Sequence, residues 1–96
     1  MNTKEAKGVG YVLSSGYRAK VMRTLEDGQY KTPTQIAKDC EIRPNHISNV
    51  LRQLKDNNLV VCINEEVRKG RIYTLTKFGV KVMNHIDERG FINGNM

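Results

Sequence analysis

The sequence predicts a mainly α fold with one small β-hairpin: a three-helix core, the hairpin and a closing C-terminal helix. Three observations carry that reading. Between residues 14 and 57, apolar residues recur at helical spacing behind recognisable cap residues. From 59 to 76 the period changes to runs rich in β-branched and aromatic residues. Helical spacing then returns from residue 77.

The elements follow in order. Residues 1–13 read as an N-terminal arm, partly flexible, because the first eight are polar. The stretch VGYVLSS either extends or runs into the first helix. Ser14 or Ser15 caps a helix carrying Tyr17, Val21, Met22 and Leu25, which stops near Gly28. Thr32-Pro33-Thr34-Gln35 fits a capping box, with Pro33 at the first helical position. A short helix with Ile36, Ala37 and Cys40 follows. Pro44 opens another, with Ile47, Val50, Leu51 and Leu54 on one stripe and Asn58 at its end. LVVCIN and RIYTLT read as strands joined by EEVRKG, with Gly70 at a turn position. Phe78, Val82, Met83 and Ile86 mark the last helix. The core unit thus spans 14–76, and 77–96 hold the C-terminal helix and a loose tail.

Bulk properties bound the function. Ninety-six residues suffice for one domain, and 39% hydrophobic content is too high for a disordered tail. No apolar run approaches the roughly 20 residues of a membrane helix, and MNTKEAKGVGYVLSS lacks the apolar stretch of a secretory signal. The expectation is a cytoplasmic protein with no membrane partner. The net charge of +6 suits a polyanionic partner without specifying one. No phosphate loop, G-x-S-x-G or H-E-x-x-H is present, which argues against an enzyme. Cys40 and Cys62 are too few for a disulfide framework, and Cys40 to His46 matches no common zinc spacing. Both cysteines read as small buried hydrophobes, and His85 as a surface residue of the last helix. No metal or cofactor is expected.

The informative segment is residues 33–52. Ile36, Ala37, Cys40, Ile42, Ile47 and Val50 sit where two helices joined by a short turn would touch. Ala37 marks the closest approach, and Ile42 plugs the turn. Position by position, this resembles the helix-turn-helix pattern. Two residues depart from it: Glu41, where that pattern often has Gly, and Arg43, where a Ser or Thr cap is usual. Further on, NNLVVCIN and RKGRIYTLTKFG resemble the segment after the recognition helix in small prokaryotic winged-helix regulators of the MarR and ArsR type. There a basic hairpin, R-x-Y-x-L-T-x-x-G and a final helix recur. The resemblance covers roughly residues 14–88 and implies a winged helix-turn-helix fold.

The resemblance gives the residues a role. At 100° per residue, Asn45, Asn49, Arg52 and Asp56 oppose the apolar stripe, flanked by His46, Ser48 and Gln53. A helix of this width fits the major groove of double-stranded DNA; Asn or Gln pairs with adenine and Arg with guanine. Arg43, Asn45, His46, Ser48, Asn49, Arg52 and Gln53 are the expected recognition-helix contacts, with Asp56 outside the groove. Thr32, Thr34, Arg68, Lys69 and Arg71 are the expected phosphate and wing contacts. Tyr11 and Leu13, with Phe78, Val82, Met83 and Ile86, offer apolar surface for core closure and for pairing two protomers, as the resemblance also implies. No small-molecule effector is evident. The competing reading is a winged-helix protein–protein module in a nucleic-acid-associated complex, without sequence-specific DNA binding.

Overall fold

Ser15, Thr32 and Thr76 each begin a helix, and together they set much of the architecture. The computed structural model describes residues 1–89. It contains α1 (Thr3–Leu13), α2 (Gly16–Thr24), α3 (Pro33–Cys40), α4 (Pro44–Asp56), β1 (Val60–Cys62), β2 (Tyr73–Leu75) and α5 (Lys77–Arg89). The Ser15 side chain accepts from the Arg18 amide at the start of α2. Thr32 and Gln35 form the reciprocal capping box expected for α3, with Pro33 in the first turn.

The turn between α3 and α4 explains both departures from the helix-turn-helix pattern. Glu41 adopts a left-handed conformation, φ 56° and ψ 42°. The Ile42 amide donates to the Ala37 carbonyl at 3.0 Å and the Glu41 amide to Lys38 at 3.3 Å. This is a Schellman ending, which favours Gly at the left-handed position. Arg43 is the residue before α4 but supplies no side-chain cap. The apolar skeleton is nevertheless buried as expected: Ile36, Ala37, Cys40, Ile42, Ile47 and Val50 all belong to the core. Asn58 ends α4 in the same way as Glu41 ends α3, at φ 59°. Glu41→Gly and Arg43→Ser are therefore each expected to raise stability by about 1 kcal/mol, the first by relieving the left-handed strain and the second by adding a cap. Denaturant midpoints measure this; unchanged values would show that the turn carries no such strain.

β1 and β2 pair antiparallel, Val60 with Leu75, Val61 with Thr74 and Cys62 with Tyr73. Both strands are shorter than the runs LVVCIN and RIYTLT suggest. Lys31 adds a bridge to the outer side of β2, exchanging two backbone hydrogen bonds with Tyr73. Beyond the strands, Asn64 closes the wing: it accepts from the Ile72 amide at 2.8 Å and donates to the Gly70 carbonyl at 3.1 Å. Gly70 supplies the positive φ of the turn, 74°.

The L-T-x-x-G sequence at the start of α5 has a local cause. The Thr76 hydroxyl accepts from the Gly79 amide at 2.9 Å and donates to the Asn58 carbonyl at 2.6 Å. Gly79 packs directly on the Leu59 backbone, where a Cβ would overlap the carbonyl oxygen.

Three expectations are corrected on this side of the molecule. Residues 3–13 are not a flexible arm but helix α1, capped by Asn2, with Val9 and Val12 buried. It packs chiefly against α5, and Gly8 sits at the crossing: a Cβ there would lie 2.8 Å from Val82 and 3.0 Å from Phe78. Val82, Met83 and Ile86 are 0%, 1% and 0% exposed, so their side chains close the core of one protomer and are closed to a second. Tyr11 and Phe78 are partly buried against that core, and of the six only Leu13 is exposed, at 37%. His85 is not a free surface residue; it meets Glu5 of α1 at 2.8 Å, and the contact holds the Glu5 carboxyl below its usual range. Nearby, Arg23 Nη1 contacts both Glu26 (2.9 Å) and Asp87 (2.6 Å), tying α2 to α5, while Arg23 Nη2 is buried without a partner among the described residues. The expected loose tail lies outside the described residues.

Candidate nucleic-acid interface

Helix α4 presents three faces. Ile47, Val50, Leu51 and Leu54 are buried against the core. Opposite them, Asn45, Asn49 and Arg52 form an exposed ridge, with Arg43 exposed just ahead of it. Arg52 reaches back along the ridge and donates to Asn49 Oδ1 at 3.3 Å. This leaves the two side chains prearranged on one surface, which lowers the ordering cost of any contact they make.

One flank of the ridge faces the wing. Between them lies an open cleft of about 730 Å³. Thr32 and Thr34 enter it from the start of α3, Ser48 and Arg52 from α4, and Arg68, Lys69 and Arg71 from the wing. Seven expected contact residues from three separate stretches thus share one concavity. Its chemistry is not uniform. Lys55, which also lines it, is paired with Glu65, and Asp56, expected outside, lies in the lining too. The arginines and Lys69 outnumber these acids, so the cleft keeps a cationic excess suited to phosphate.

Some of the expected residues are committed elsewhere. Arg71 donates from Nε to the Val67 carbonyl at 2.7 Å and from Nη2 to the Glu65 carbonyl at 3.1 Å, so it mainly holds the wing loop in shape. The Thr32 hydroxyl is engaged with Gln35 in the capping box. Ser48 donates to the Pro44 carbonyl at 3.4 Å. Arg68, Lys69 and Thr34 are exposed.

The other flank faces α2. There His46 sits beside Tyr17, ring centroids 5.6 Å apart and tilted by 54°. Gln53 accepts from Arg18 Nε at 3.1 Å. His46 and Gln53 are therefore separated from the cleft by the ridge itself. Sequence reasoning missed Lys55, although it lies one turn beyond Arg52 and two beyond Ser48, a spacing that places it on the same flank. It also missed Tyr17 and Arg18, for which no signal along α4 exists, because the contact runs between helices.

Among the described residues, no three His, Cys, Asp or Glu side chains converge as a metal would require. Cys40 and Cys62 are free and buried, and burial pushes the Cys40 thiol up, away from the reactive thiolate. No helix among the described residues is long and apolar enough to cross a membrane.

A helix-turn-helix followed by a two-stranded wing and a closing helix defines the winged helix-turn-helix fold, as the sequence leads one to expect. Solved structures agree on the fold. A mutant of the type III plasmid segregation protein TubR matches with a TM-score of 0.78, 15% identity, and coverage of 95% of this chain and 97% of that one. A MarR family transcriptional regulator from Silicibacter pomeroyi DSS matches at 0.67 and 20% identity, over 96% of this chain and 67% of its own. The homodimeric winged helix-turn-helix DNA-binding domain of a possible ArsR-family transcriptional regulator from Mycobacterium bovis matches at 0.64 and 19%, over 96% and 86%. No family model and no curated protein matches the chain.

Proposed function

We propose that this domain binds double-stranded DNA and regulates transcription by occupying a promoter in the cytoplasm. The cleft between α4 and the wing carries the proposal: it joins a groove-sized helix to a cationic loop across a gap that a phosphate backbone fits. The ridge of Asn45, Asn49 and Arg52 enters the major groove and reads base edges. Arg43, Thr34, Arg68 and Lys69 meet phosphates, aided by the first amides of α3. The regulators among the structural neighbours support this reading, and no catalytic group is needed for it. Two protomers pair through the outer surfaces of α1 and α5, where Leu13 and Val80 are 37% and 44% exposed. Such a dimer reads two half-sites about 10 base pairs apart. A monomer mass by light scattering at working concentration removes the dimer from this picture.

Arg52→Ala is expected to cost about 1–3 kcal/mol on the best site and to relax base preference there. Lys69→Ala should weaken binding to all sequences alike and reduce the log–log salt slope by about one. Fluorescence anisotropy against specific and scrambled duplexes, over a salt series, separates the two. Identical effects from both variants would mean that Arg52 touches only phosphate. One observation favours the protein–protein reading: Val61 and Ile63 on the wing are 40% and 54% exposed. In that case no duplex binds at low salt, and partner binding has a flat salt slope.

A further inference from the structure

Gln53 is a candidate base reader whose side-chain oxygen is already taken by another helix. Arg18 Nε of α2 donates to Gln53 Oε1 at 3.1 Å. Arg18 is itself fixed on three counts. Its Nη1 donates to the Tyr11 carbonyl at 3.0 Å and to Ser14 Oγ at 2.9 Å, and its guanidinium carbon lies 3.8 Å from the centroid of the Tyr11 ring. The end of α1, the start of α2 and the flank of α4 therefore meet at one guanidinium.

Arginine carries donors only and cannot be deprotonated in a protein. Only the oxygen of a carboxamide can face it. The two ends of the Gln53 amide are thus not interchangeable, and its nitrogen is turned away from Arg18. That nitrogen has no hydrogen-bond partner within the described residues, and it is not among the atoms shut off from solvent. Gln53 follows Asn49 by one turn on α4, so the free nitrogen borders the exposed ridge.

We infer that Arg18 sets Gln53 to read chiefly as a donor, so that its base position selects guanine over adenine. This rests on the DNA-binding reading above. An unconstrained glutamine pairs with adenine by giving one hydrogen bond to N7 and taking one from N6. One of the oxygen's two lone pairs is used by Arg18 and the oxygen is drawn toward α2, so the bond from adenine N6 is weakened, whereas the free nitrogen still donates. Guanine offers two adjacent acceptors, O6 and N7, thymine one, and cytosine a donor. The order of preference at that position is guanine, then thymine, ahead of adenine and cytosine. Arg18 is a positioning residue: it acts through Gln53 and never touches the base.

The test is selection from a randomised duplex pool by the wild-type chain, Gln53→Ala, Arg18→Lys and Arg18→Gln, with sequencing of the bound DNA. The lysine variant keeps a donor-only partner. The glutamine variant offers either a donor or an acceptor and so frees the Gln53 amide to turn. One position should lose its preference in Gln53→Ala. At that position the wild type and Arg18→Lys should favour guanine over adenine by roughly tenfold, and Arg18→Gln should erase or reverse the ratio. A purely structural arginine would instead weaken all sequences alike. Adenine preferred by the wild type at the Gln53-sensitive position overturns the inference, as does an unchanged ratio in an Arg18→Gln chain that melts cooperatively. If that variant does not fold, the wild-type ratio decides alone. In the free protein, hydrogen exchange at Arg18 Nε should be slower in the wild type than in Gln53→Ala; equal rates overturn the clasp without reference to DNA. A pool from which the wild type enriches nothing overturns the DNA-binding reading and the base assignment with it, whereas enrichment with no Gln53-sensitive position overturns the base assignment alone.

Discussion

Gly79→Ala is expected to destabilise the protein by about 3 kcal/mol and to lower Tm by roughly 10–20 °C for a chain of this size. The added methyl overlaps the carbonyl oxygen of Leu59, a backbone atom with no rotamer to change. Relief requires moving α5 away from the strand entry. Thr76 resists that movement, because it binds both the Asn58 carbonyl and the Gly79 amide. The clash thus propagates into Val82, Met83 and Ile86, which close the core. Gly10→Ala provides the contrast. Gly10 is helical, with no packing neighbour among the described residues within 4 Å of the added Cβ, and the substitution should stabilise by about 0.5–1 kcal/mol. Thermal and denaturant unfolding of the pair measures both signs. A Gly79→Ala chain melting within a few degrees of the wild type would show that α5 slides freely.

The second large effect is a loss of stability between pH 5 and pH 8. Glu26 is pushed up to about 7, first by burial, then by its contact with Asp87, against the opposing pull of Arg23. The unfolded chain releases this proton near pH 4.5, whereas the folded chain keeps it until about 7. In that window the unfolded state binds fewer protons, so stability falls as pH rises and levels off above the folded value. The loss is on the order of 1–3 kcal/mol, with the half-exposed Arg23 and Asp87 keeping it below the full conversion of the shift. Glu26→Gln should flatten the profile. Glu5 and Asp39 act with the opposite sign: His85 and Lys31 hold their carboxyls below the ordinary range, and their stabilisation disappears only as acid protonates them. Taken together, the three groups place the optimum near pH 5. Denaturant midpoints at pH 5 and pH 8 decide the matter, and the same slope in wild type and Glu26→Gln would refute it.

Helices α2, α3 and α4 were legible because their ends are written locally. Thr32 with Gln35, Pro33, Pro44 and Asn58 act within four residues of their own position. Helix α1 was not, although Asn2 and Glu5 do form a cap pattern. Gly8 and Gly10 lower helix propensity in an eleven-residue segment, and the helix is held by packing instead. Gly8 is small because Phe78 and Val82 lie against it, so the residue that hid the helix is also the one that admits its neighbour.

The site shows the same division. A helical wheel correctly set Asn45, Asn49 and Arg52 opposite the core. It did not foresee that Arg71 would serve the wing or that Gln53 would serve Arg18, since both partners are fixed by tertiary contact. The assignment of Val82, Met83 and Ile86 to a protomer interface failed for a related reason. Periodicity finds an apolar stripe but not what covers it, and here the protomer's own core does, with α1 against Val82.

The pairing of α1 with α5 bears on the order in which the elements fold. An eleven-residue helix with two glycines is marginal by itself in water. Its main support, α5, lies more than sixty residues downstream. The helix-turn-helix can therefore form its local contacts while α1 remains undocked. That segment docks only once α5 has formed, bringing Tyr11 toward Arg18. Helix α1 is then among the last of the described elements to fold, and a protein truncated before Lys77 should remain sensitive to proteolysis upstream of Ser15.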